Sequence, residues 1–222
     1  MPSIEQSVKA QFAKVFQTSD WQLFKSIAET NLRDAARVKK ADMPIESSLR
    51  LLARNCRKRL LIGVGVELLL KAIYLKNGYC INKPQNASTP KFPFRHTHAI
   101  GTTLIDDKTF QLNELLQHLS VVLQMQNQDV TLKGLKIAKV FRNKEGHSVT
   151  ASHTFDPSNY RDIERSLVEL YRDAFAEKLS MRFSLAPDEP ALWRISRPNK
   201  LLQSGPSGAA LRAVPRAVEQ RR

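Results

Sequence analysis

The stretch Val140-Phe141-Arg142-Asn143-Lys144-Glu145-Gly146-His147 holds the residues best suited to chemistry. Arg142 supplies a permanent positive charge and a planar fork of donors, and His147, after four intervening residues, titrates near neutral pH. With the polar Asn143 beside them, these properties suit phosphodiester chemistry. An arginine followed four to six residues later by a histidine is expected about once by chance in a chain this long and this basic. The same residues also fit an ordinary helix end, with Lys139, Arg142 and Lys144 complementing the dipole and Gly146 stopping the turn. The surroundings must therefore decide.

The elements that would position these residues are helical. Ile4, Val8, Phe12, Val15 and Phe16 keep a helical period between Ser3 and Gln17. After Thr18-Ser19-Asp20, a capping cluster, Trp21, Phe24, Ile27, Ala28, Leu32 and Ala35 line a second helix as far as Lys40. Met43-Pro44 breaks the run. The longest helix is expected from about Ser48 to the stop signal Asn77-Gly78. It is almost wholly apolar from Leu60 to Leu75, which predicts burial on most sides and makes Glu67 stand out. Lys71 lies one turn on, so the plain expectation is an i,i+4 ion pair. The alternative is a Glu67 carboxylate that orients a cationic active-site residue.

From Tyr79 to Arg95, three prolines and several polar residues predict a long loop, of a kind often functional. His96-Thr97-His98 then opens a short helix through Leu104, and the pattern predicts one helix over Thr109 to Gln126 that includes His118. Val130 to Arg142 follows with Lys133, Lys136 and Lys139 on it, and a last strong helix runs from Tyr160 to Leu179. The two alternate histidines have no third ligand at a recognisable spacing, so no metal site is expected. Beyond Leu185 the prolines, glycines and scattered arginines keep no period and predict a flexible basic tail. The division that results is an N-terminal helix (1–18), a helical domain (19–183) and the tail (184–222).

A chain of 222 residues allows one sizeable domain with appendages, or at most two small ones. A formal net charge of +14 and a pI near 10.0 favour phosphate-rich or acidic partners over neutral small molecules. Cys56 and Cys80 form no CxxC pair, so neither a disulfide framework nor a zinc site is indicated, and reduced thiols in the cytoplasm are expected. The start lacks a basic region followed by an apolar core, so no secretory signal is expected. Glu67 and Lys71 interrupt the longest apolar stretch, which is too short and too charged to span a bilayer. No Gly-rich phosphate loop and no Ser/His/Asp order is present.

Together these features resemble the HEPN family, the all-helical domains of many prokaryotic toxin, abortive-infection and phage-defence proteins. The buried helix from Gly65 to Gly78, with Glu67, Lys71 and the closing glycine, looks like that family's second core helix. His96-Thr97-His98-Ala99-Ile100 resembles the short His-led segment that follows its variable loop. Arg142-Asn143-Lys144-Glu145-Gly146-His147 matches its RNA-cleaving motif. The likeness covers about residues 20 to 183, and the three motifs stand in the family's order.

The resemblance implies an all-α, antiparallel helical bundle of four to five core helices, acting as a homodimeric endoribonuclease with no metal or cofactor. His147 would act as general base or acid, Arg142 would stabilise charge on the phosphoryl oxygens, and Asn143 would orient the phosphate or the histidine. Lys136, Lys139, Lys144 and Arg57 would hold the RNA backbone, and Glu67 and Lys71 would support the site. An antitoxin such as a small nucleotidyltransferase is a possible partner in such a family. In a fully helical segment Arg142 and His147 would sit about 140° apart. Gly146 departs from the motif's helical character, so an unwound turn or a site shared across a dimer is what would bring both to one phosphate. The alternatives are a HEPN-like module that binds RNA or nucleotide without cutting, and a basic helical interaction domain.

Overall fold

A computed structural model describes residues 3–12, 20–38, 48–85, 90–145, 156–183 and 190–197. The chain is mostly helical, with α1 (Ile4–Phe12), α2 (Trp21–Arg37), α3 (Ser48–Lys76), α4 (Leu112–Gln117), α5 (Leu119–Val122), α6 (Gln128–Glu145) and α7 (Pro157–Phe175). Two small antiparallel sheets accompany them among the described residues. One pairs β1 (Asn82–Pro84) with β2 (Leu104–Thr109), and the other pairs β3 (Lys178–Met181) with β4 (Trp193–Ser196). No helix among these residues is long and apolar enough to cross a membrane.

α3 lies at the centre because its second half is apolar on most sides, with Glu67, Lys71 and the terminal Lys76 as its charged residues. Ile62, Val66, Leu69, Leu70, Ile73 and Tyr74 are fully buried. α2 covers it with Phe24, Ala28, Leu32, Ala35 and Ala36, a stripe at helical spacing. The two helices come unusually close at Gly65, where a Cβ would stand 2.7 Å from the Leu32 side chain. α6 packs on another side of α3, and α7 packs on α6. That last crossing is also tight: a Cβ on Gly134 would lie 2.3 Å from the Asp162 carbonyl oxygen. The Gly134 amide donates to the Ser166 hydroxyl at 2.9 Å, so the contact is polar as well as close.

α7 carries its own boundaries in sequence. The Asp156 side chain accepts from the Ser158 amide at 2.8 Å, Pro157 occupies the first turn, and Ala176 closes the helix in a left-handed conformation (φ 53°). α4 begins with a capping box in which the Gln111 amide donates to Glu114 at 2.7 Å.

Four expectations need correcting. The all-α reading describes the large elements but omits the two sheets. The short helix expected from His96 to Leu104 is a single 3-10 turn, His96–Ala99, and Leu104 already belongs to β2, which pairs with β1 inside what the prolines suggested was only loop. The helix expected over Thr109 to Gln126 is two pieces, α4 and α5, interrupted at His118 (φ −112°, ψ 10°). The last helix ends at Phe175, not Leu179, because Ala176 turns the chain into β3, and Trp193–Ser196 returns from the supposed tail to pair with it.

The first half of α3 carries one buried lysine. Lys58 is 7% exposed, hydrogen-bonds the Phe183 carbonyl, and stands 5.2 Å from the centre of the Tyr160 ring. Burial lowers its pKa from 10.5 to about 8, and Glu164 opposes that shift. Between about pH 8 and 10.5 the unfolded chain therefore holds the Lys58 proton more firmly than the folded one, so stability rises with pH across that window. Below it, the cost of burying the charge is present in full. In Lys58→Met this rise in the denaturation midpoint should flatten, by the equivalent of up to about 3 kcal/mol. Identical pH profiles in the two proteins would mean that the ammonium is solvated.

Candidate functional site

Arg142 sits in the last turn of α6, and α3 determines where it stands. Residues Arg59, Gly63, Glu67 and Lys71 recur every fourth position on α3 and form one stripe along that helix. α6 runs antiparallel across it, so Glu145 meets Arg59 while Arg142 meets Gly63 and Glu67. At Gly63 the backbones nearly touch, since a Cβ there would lie 2.7 Å from the Arg142 Cα and Cβ. Only glycine gives the arginine this place.

The charges along the stripe alternate with purpose. Arg142 Nε donates to Glu67 Oε2 at 3.1 Å, and Lys71 Nζ donates to Glu67 Oε1 at 2.9 Å. Glu67 thus pairs with Lys71 one turn away, as the plain expectation has it, and its second oxygen holds Arg142 as well. Glu67 and Lys71 are largely buried, whereas the Arg142 side chain is 36% exposed. Glu67 fixes the guanidinium through Nε, and the Nη groups are its remaining donors. Two cations share one carboxylate, which leaves an excess positive charge at this point of the surface.

One turn below, Arg59 pairs with Glu145, and both side chains are 1% exposed. Sequence reasoning did not single out this pair. No signal in the sequence joins the two, because Arg59 stands among Arg54, Arg57 and Lys58 in the basic half of α3. Two further groups pack on it. Hydrogen bonding to Glu145, with burial next, pushes the Cys56 thiol pKa up. Burial likewise raises the Tyr160 hydroxyl, against the charge and hydrogen bond of Arg59. The thiol is therefore a poor nucleophile and the cluster reads as an anchor for the end of α6.

The other expected residues divide. At about 100° per residue, Lys136, Asn143, Lys139 and Arg142 fall within an arc of about 120° on α6, and Lys144 falls outside it. Lys136 and Asn143 are exposed, and Lys139 donates to Asn113 at 3.1 Å. Lys144 and Arg57 are also exposed. Gly146 and His147 lie outside the described residues. Among the described residues no group of three His, Cys, Asp or Glu could hold a metal. His96 meets the buried Cys80, with Nδ1 3.2 Å from Sγ, and burial lowers the histidine pKa and raises the thiol to about 11. That pair is a packing contact and lies on the segment before β2.

Compared with protein-family models, curated proteins and solved structures, the chain has no match. Its own residues carry the functional reading.

The anchor makes a stability test possible. Glu145→Gln leaves Arg59 buried without its counter-charge and should cost about 3–5 kcal/mol in denaturant unfolding. The double variant Arg59→Met, Glu145→Leu should recover much of that loss, because it removes both charges. Wild-type stability in Glu145→Gln would show that the pair is solvated and holds nothing.

Proposed function

We propose that this chain is a metal-independent endoribonuclease of the HEPN type, built as an antiparallel helical bundle and working as a homodimer. The observation that carries the reading is the Arg142 guanidinium, held by Glu67 at the end of α6 yet open to solvent, five residues before the histidine of the motif. An arginine fixed on one side and free to donate on the other suits the stabilisation of charge on a phosphoryl group. Lys136, Asn143 and Lys139 on the same arc extend the site along α6 toward an RNA backbone.

In this mechanism His147 takes the proton from a ribose 2′-hydroxyl. The 2′-oxygen bonds to phosphorus, and the 5′-oxygen leaves with a proton from a general acid, the second copy of His147 in a composite dimer site. Arg142 donates to the phosphoryl oxygens as their charge grows, and Asn143 aligns the phosphate. The products are a 2′,3′-cyclic phosphate and a 5′-hydroxyl. DNA, which has no 2′-hydroxyl, is not cut. A cytoplasmic nuclease of this kind needs restraint, which an antitoxin partner would supply.

A second reading has its own support. The Glu67 bond already satisfies part of Arg142, as it would in a module that binds RNA without cutting it.

The deciding experiment incubates wild type, Arg142→Ala and His147→Ala with single-stranded and structured RNA in EDTA, beside DNA of the same sequence. Wild type should cut RNA alone and leave cyclic phosphate ends, and each variant should be slower by about 100-fold or more. Cleavage that persists in both variants would remove the site. RNA that wild type binds but leaves intact would favour the second reading.

A further inference from the structure

The returning strand β4 does more than extend a sheet. Together with the last turns of α2 it borders an open hollow of about 490 Å³, lined by Arg33, Arg37, Ala191, Trp193, Arg194 and Ile195. That volume is within the range of about 300–1,000 Å³ usual for small-ligand sites. Two larger hollows among the described residues each include two glutamates, Glu164 and Glu169 in one and Glu29 and Glu177 in the other, which stand among the arginines and lysines there. This lining holds three arginines and no carboxylate. Asp34 approaches Arg37 only at 3.7 Å, with both side chains well exposed, so that pair holds the arginine weakly.

The hollow also has an aromatic wall. The Arg33 guanidinium stands 6.0 Å from the centre of the Trp193 ring, and the Trp193 indole N–H is buried with no acceptor among the described residues. Arginines beside an aromatic face are the pair of features that hold single-stranded nucleic acid, charge for the phosphate and a flat surface for the base.

Its place in the molecule matters. Val38, next after Arg37, has its carbonyl 3.4 Å from Lys58 Nζ, and the neighbouring Arg59 pairs with Glu145 at the end of α6. The hollow and Arg142 therefore lie at the same end of the helices.

We propose that the hollow between α2 and β4 is an exosite for one unpaired nucleotide of a single-stranded RNA, with its phosphate on Arg37 and Arg194 and its base against the Trp193–Arg33 surface. The inference takes its ligand from the ribonuclease reading and adds a second point of contact. It makes Trp193–Ser196, which sequence reasoning left in the tail, part of substrate recognition.

Trp21 and Trp193 are the two tryptophans of the chain, so in Trp21→Phe the indole fluorescence reports Trp193 alone. A short single-stranded DNA oligonucleotide serves as the probe, because it lacks the 2′-hydroxyl and stays intact. It should quench the Trp193 signal saturably. In Arg37→Gln, Arg194→Gln its affinity should fall about tenfold, and the salt slope of binding should drop by about 0.7, for the one phosphate that both arginines hold. Fluorescence anisotropy of a labelled oligonucleotide with the double arginine variant gives the same comparison without the Trp21 change. An unquenched signal, or affinity and salt slope unchanged by the double variant, would overturn the exosite. The two proposals fail separately: RNA cleavage that depends on Arg142 without quenching sinks only the exosite, and quenching without cleavage sinks only the nuclease.

Discussion

Everything at the candidate site hangs on how closely α6 can approach α3. A helix pair with ordinary side chains at its crossing keeps its axes about 8–10 Å apart. A glycine at the crossing lets the backbones come nearer. Gly63 is that glycine, and the residue it admits is Arg142. The stripe Arg59, Gly63, Glu67, Lys71 then acts as a template: the buried Arg59–Glu145 pair fixes the end of α6, and Glu67 fixes the guanidinium one turn away. A buried ion pair is a poor source of net stability, because desolvating both charges offsets most of their attraction. Its value here is positional. It penalises any shift of α6 along α3, since one turn of slippage would leave two charges buried and unpaired.

This arrangement has a consequence for the chemistry proposed. The guanidinium must present donors to a phosphate and keep its own orientation. A lysine in its place would have a single nitrogen, which Glu67 and a ligand would have to share. An arginine can give Nε to the carboxylate and the Nη groups to the ligand. Lys71, on the other carboxylate oxygen, reduces the repulsion an approaching phosphate would feel from Glu67. The three charges together are better suited to receive an anion than an Arg–Glu pair alone.

Much of the fold was legible in sequence because its long helices carry strong periodic signals. α3 begins at the expected Ser48 and stops at Lys76, one residue before the Asn77-Gly78 signal. The strands were not legible. Each has six residues or fewer, too short to show a two-residue period against helical neighbours, and β1 contains Pro84 within a proline-rich stretch. β4 was hidden by its surroundings: the prolines on either side of Trp193–Ser196 suggested a featureless tail, whereas its partner β3 is decided by where α7 stops. At the candidate site, Glu67 and its partner Lys71 were legible because an acid stands out in the apolar half of α3, whereas the contact of Arg142 with Glu67 joins residues 75 apart and has no local signal. The Arg59–Glu145 pair was missed because its members lie 86 residues apart and neither is unusual where it stands.

The Gly63 crossing gives the most direct test. An alanine in an ordinary helix interior would stabilise the chain by about 1 kcal/mol relative to glycine. Here the added methyl would meet the Arg142 backbone, so Gly63→Ala should lower the unfolding free energy by about 1–3 kcal/mol. A Gly63→Ala protein that is as stable as wild type, or more so, would contradict the account, because α6 would then not be seated against α3 at Arg142.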